Sequence, residues 1–113
     1  MTVPEVGALA LAAIFGAGGL QQLAGVDSMQ VLAKRVDLEY GVIRVAGFFQ
    51  TLGALGLVAG VFVATWIGIA AGCGLALQAL LGCGAHLRVR EPVLAYAPAA
   101  VLGAAALAVA LTL

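Results

Sequence analysis

The sequence predicts an all-α membrane protein: a four-transmembrane-helix bundle with a short amphipathic helix between spans 1 and 2. Three observations carry that prediction. Residues 45–87, between Arg44 and Arg88, contain no Asp, Glu, Lys or Arg. As one helix this stretch would measure roughly 64 Å at ~1.5 Å per residue. A bilayer's hydrocarbon core is about 30 Å thick, so the stretch holds two crossings joined by a tight turn. Two further uncharged runs, residues 6–26 and 92–113, each approach the ~20 residues that one crossing needs. Composition agrees: 65% of the 113 residues are hydrophobic, 9% are charged, and mean hydropathy is +1.20. Soluble domains carry about 25% charged residues and keep a polar face on their helices.

The chain therefore reads as a single membrane domain, residues 1–113. Its net charge of zero gives no basic surface that would attract nucleic acid. Span 1 is expected over about residues 3–24, with Pro4 in the first turn, where a missing N–H is tolerated. It differs from a secretory signal peptide, because Glu5 and no Lys or Arg precedes it and its apolar stretch exceeds the ~7–15 residues of a signal core. It is expected to be retained. Residues 27–40 predict a short amphipathic helix on the cytoplasmic face, with Asp27 or Ser28 as the cap. Met29, Leu32 and Val36 recur there at helical spacing, opposite Lys34 and Arg35.

Span 2 is expected over residues 41–61 and span 3 over residues 65–87. Their link, residues 62–66, is so short that the two helices must be antiparallel neighbours, and Phe62 and Trp66 suit the membrane interface beside it. Span 4 covers residues 92–113. Pro98 lies inside it and removes the donor for the Leu94 carbonyl, predicting a bend or a loosened first turn. Lys34, Arg35 and Arg44 lie between spans 1 and 2, and Arg88 and Arg90 between spans 3 and 4. The positive-inside rule makes both connections cytoplasmic and places both termini outside.

Fifteen of the sixteen glycines and many alanines occupy the spans. Small residues let helix backbones approach closely in lipid. The GxxxG pairs Gly56/Gly60 and Gly68/Gly72 read either as packing within the bundle or as a docking face for a second copy or another subunit. Four polar side chains lie within the apolar runs: Gln22, Gln50, Gln78 and His86. Amides in hydrocarbon need partners, and Gln50 is the expected partner of Gln78 across the hairpin. Gly74, Gln78, Gly82 and His86 recur every four residues and are expected to form one stripe facing the bundle. The plain reading is a set of interhelical hydrogen bonds. The sharper one is a pocket open to the cytoplasmic leaflet that binds a quinone or phospholipid head, with Arg44 or Arg88 at its mouth.

Other chemistries lack their groups. His86 is the only histidine, so haem has no second histidine ligand. One His and two Cys fall short of a metal set. Cys73 and Cys83 stand about 15 Å apart along one helix, beyond the ~7 Å that a disulfide allows, and are expected to be buried thiols. A small multidrug pump needs a membrane carboxylate, and Glu5 sits only at the outer end of span 1. No nucleophilic triad, phosphate loop or carboxylate pair is present, so no catalytic residue is assigned.

The segments FGAGGLQQLAG (residues 15–25), GFFQTLGALGL (residues 47–57) and GAHLR (residues 84–88) resemble the first, second and third spans of the DoxX-like family. Phe15, Gly19 and Leu23 fit the family's Phe-x-x-x-Gly-x-x-Lys-Leu pattern. Gln22 stands where a lysine is common, and Gln50 where an acidic residue is frequent. The resemblance implies a four-helix membrane bundle related to the small subunit of a thiosulfate:quinone oxidoreductase. A role that depends on the charged pair is not expected of a chain carrying Gln at both positions. The expected function is a non-catalytic accessory subunit of a larger redox or transport complex. The alternatives are a quinone- or lipid-binding membrane protein and a small homo-oligomeric transporter. Expected partners are the lipid bilayer and other subunits, or a second copy, met through glycine-rich faces. The composition suggests a GC-rich bacterial source, which places the chain in an inner membrane.

Overall fold

In the computed structural model, which describes residues 1–113, every regular element is a helix. The order is α1 (Val3–Ala24), α2 (Asp27–Arg35), α3 (Tyr40–Phe62), α4 (Thr65–Arg88) and α5 (Val93–Thr112). Four of these, α1, α3, α4 and α5, are long and apolar enough to cross a membrane. Each lies within one residue of its expected bounds. Helix α1 begins with a capping box: the Glu5 amide donates to Thr2 Oγ1 at 3.2 Å, and the Thr2 amide donates to Glu5 Oε1 at 3.0 Å. It ends at Gly25, whose φ of 73° turns the chain into α2.

Helix α2 forms where the sequence places it, but its cap differs. Val26 holds the N-cap position with no side-chain bond, and Asp27 is already in the first turn, where its charge suits the helix dipole. Helix α5 continues through Pro98 from Val93 onward.

The spanning helices form a ring in which α1 packs on α3, α3 on α4, and α4 on α5, with a narrower seam returning from α5 to α1. Each main crossing is a glycine contact. A Cβ on Gly19 of α1 would lie 2.9 Å from the Gly47 carbonyl of α3, and one on Gly60 of α3 would collide with Gly68 Cα of α4. One on Gly72 of α4 would lie 2.9 Å from the Ala106 carbonyl of α5. Gly56 likewise faces Ala71 of α4. All four GxxxG glycines thus serve close approach within the bundle.

The core is Ala8, Leu11, Ala12, Phe15, Ala54, Leu57, Leu75 and Ala106. Leu20, Phe49, Leu55, Leu80, Val101 and Leu111 are exposed, as lipid-facing positions of a bilayer bundle are. The long axis of the bundle is 40 Å, close to the ~40–45 Å of a bilayer with its head groups. Thr2, Glu5, Thr65 and Thr112 share one end. Helix α2 and the α4–α5 connection share the other, the basic end.

Candidate functional site

Three glutamines from three helices meet in the basic half of the bundle. Gln50 of α3 is the hub. Its Oε1 accepts from Gln22 Nε2 of α1 at 3.2 Å and from Gln78 Nε2 of α4 at 3.4 Å. Its own Nε2 donates to the Phe15 carbonyl at 3.1 Å. The absence of a side chain at Gly18 makes that reach possible, since a Cβ there would lie 2.7 Å from Gln50 Nε2. Gln78 makes its shorter bond to the Ala46 carbonyl, at 2.8 Å. The Tyr40 hydroxyl donates to the Gln22 carbonyl, and Arg44 stands over the Tyr40 ring, 5.2 Å from its centroid. Gln22 Oε1 is buried without a partner.

A second cluster sits at the basic end. Arg35 of α2 donates its Nε–H to Glu91 Oε1 at 2.6 Å. Arg88 donates to the carbonyls of Val36 and Asp37 at 2.7 and 2.9 Å, closing the C-terminal end of α2. Arg88 is therefore a brace on α2 as well as a candidate at a pocket mouth. The His86 side chain is 13% exposed and faces the Tyr96 ring, with centroids 6.5 Å apart. Its Nδ1 lies 3.8 Å from Glu91 Oε1, beyond hydrogen-bond range, and has no other partner.

The expected stripe on α4 divides. Gln78 and His86 turn inward, whereas Gly74 is exposed, with nothing within 4 Å of a Cβ position. The reason is geometric: a step of four residues advances about 40° around a helix of 3.6 residues per turn, so the stripe winds off the face. Gly82 continues the seven-residue line of buried Gly68 and Leu75, yet nothing lies within 4 Å of its Cβ position.

The sequence reading overlooked Tyr40, Tyr96, Arg35 and Glu91. Glu91 had a signal, being the one acid in the connection between spans 3 and 4. The thiols also differ from expectation. Cys83 is half-buried, but Cys73 is exposed, because the contacts of α4 run through Gly68, Ala71, Gly72 and Leu75 and leave residue 73 on the outer side. No three His, Cys, Asp or Glu side chains converge to hold a metal ion.

Two concavities lie apart from these clusters. One, of about 410 Å³, lies at the opposite end among Thr2, Glu5, Gly60, Thr65 and Thr112. The other is an apolar groove between α4 and α5, lined by Ala76, Ala79, Cys83, Ala100 and Gly103 among others. The sequence model of the DoxX-like family matches residues 6–110. No curated protein and no solved structure matches the chain.

Proposed function

The chain belongs to the DoxX-like family, and on that premise we propose that this multi-pass membrane protein is a non-catalytic accessory subunit of a larger redox or transport complex. One observation carries this reading. Gln22, Gln50 and Gln78 are bonded to one another and to the Phe15 and Ala46 carbonyls, so they join helices. The charged side chains at the basic end brace α2 in the same way. What remains to meet a neighbour is an apolar exterior of Leu, Val and Phe. Extraction from native membranes in mild detergent should yield the protein together with defined partner subunits. A clean monomer or homodimer from such an extract would refute the reading. The orientation that goes with it has the basic end in the cytoplasm and both termini outside a bacterial inner membrane.

A second reading is favoured by the two buried atoms that lack partners. Gln22 Oε1 and His86 Nδ1 suit the polar head of a quinone or phospholipid entering from the basic end. Gln50, Gln78 and His86 would line that site and Arg44 would stand at its mouth. Mass spectrometry of gently extracted protein should then find such a molecule, lost on Gln78→Leu. Equal retention by the variant would exclude this placement.

A further inference from the structure

Helix α2 is joined to the spans on each side through a left-handed residue, Gly25 with φ 73° before it and Asp37 with φ 56° after it. The segment buries only Ala33 and Val36 and rests on α3. Across the bundle its polar contacts are Arg35 to Glu91 and Arg88 to the Val36 and Asp37 carbonyls. A short helix that buries two side chains and is held by a polar clasp has the build of a movable cover. Beside the clasp sits His86, its Nδ1 3.8 Å from the Glu91 oxygen that Arg35 holds.

We propose that α2 is a lid over the basic end of the bundle, latched through Glu91, and that protonation of His86 loosens the latch. With His86 neutral, the Glu91 carboxylate serves Arg35 alone. Both Glu91 and His86 are mostly withdrawn from water, at 14% and 13% exposed, so charges there are weakly screened. A proton on His86 adds a second cation facing the oxygen that Arg35 holds, and the two compete for it. The groups facing His86 from the packed elements are Glu91 from the α4–α5 connection, Arg35 from α2 and Tyr96 from α5. Arg88 and Cys83 on α4 itself are engaged with α2 carbonyls and the Tyr96 carbonyl. From α3, Arg44 and Tyr40 lie against Gly25 on the α1 side, and α1 places no ionisable group at this end. The exposed Asp37 side chain completes the set at the joint.

This proposal deepens the ligand-binding reading by giving its site a cover, but its readout is the position of α2 and needs no bound molecule. The experiment uses the full chain in lipid nanodiscs with Cys73→Ala and Cys83→Ala, spin-labelled at Val31→Cys and Val93→Cys, both exposed positions. Pulsed electron paramagnetic resonance then measures the distance between α2 and the start of α5 at pH values on either side of histidine titration. The expected result is a single short distance at the higher pH and an additional longer one at the lower. Glu91→Gln should show the longer distance at both pH values, and His86→Gln at neither. Arg35→Gln, which breaks the same latch from the other side, should behave as Glu91→Gln and serves if that variant does not fold. Unchanged distances in the latch variants would overturn the lid, and an acid-induced shift that persists in His86→Gln would overturn the switch. Loss of a bound quinone or lipid without any movement of α2 would fault this proposal and leave the binding reading intact.

Discussion

At the scale of single residues, Gln50 is where the most interactions converge, and its replacement tests the amide network. Gln50→Leu removes the acceptor for Gln22 and Gln78, and Gln78 keeps only Ala46. Interhelical hydrogen bonds in membranes contribute about 0.6–2 kcal/mol, so a loss of that order is expected in reversible unfolding in mixed micelles; no loss would show that the network is idle. The same contact also tests whether positions 22 and 50 couple electrostatically. Gln22→Lys or Gln50→Glu alone puts an unpaired charge in the membrane, at a cost of roughly 2.5–3.5 kcal/mol. The double variant places opposite charges at positions whose side-chain atoms now meet at 3.2 Å. It should recover most of the loss of either single variant, and strictly additive losses would show that the two positions do not pair. Glycine gives a third contrast. Gly60→Ala must displace Gly68 Cα in a packed crossing, at about 1–3 kcal/mol. Gly74→Ala meets nothing within 4 Å and should stabilise α4 by about 0.5–1 kcal/mol. Equal effects of the two would mean that the α3–α4 crossing is looser than its geometry.

At the scale of elements, the spans were legible because hydropathy changes abruptly at Glu39, Arg88 and Glu91, and a bilayer fixes how long an apolar helix must be. The pairing of α3 with α4 followed from the length of the 62–66 link alone. The details that depend on which way α4 faces were hidden. A four-residue repeat looks like a face over one turn and winds off it over three, which is why Gly74 was misplaced, whereas Cys73 was placed by residue type alone. The Gln78 bond to Ala46 and the Arg88 bonds to Val36 and Asp37 use backbone carbonyls, which every residue has and no sequence marks. The Arg35–Glu91 pair joins residues far apart in the chain through a fold that had first to be known. The α3–α4 turn offers its own measurement. Trp66 is the only tryptophan and is 71% exposed beside that turn, so it belongs at the head-group level. Its fluorescence should be quenched more by lipids brominated near the head group than by lipids brominated near the chain ends. The opposite order would bury the turn in hydrocarbon and shift α3 and α4 along the membrane normal.

At the scale of the whole molecule, an even number of crossings puts both termini on one side, and the terminal-end cavity shows Thr2 and Thr112 together with the α3–α4 turn residue Thr65. All five basic side chains lie toward the other end, in the two connections there or in the adjoining turns of the spans, and none lies in the α3–α4 turn. Short connections of this kind are where Lys and Arg govern insertion, and here nothing opposes the bias. The acids do not alter this expectation, since Asp and Glu contribute little to orientation. A membrane-impermeant maleimide should therefore label Val63→Cys in intact cells carrying Cys73→Ala and Cys83→Ala. It should label Lys34→Cys only after permeabilisation. Both positions are exposed in the fold, so a difference between them reports sidedness and not burial. Labelling in the reverse order would invert the molecule, and with it the side from which α2 and the basic end are reached.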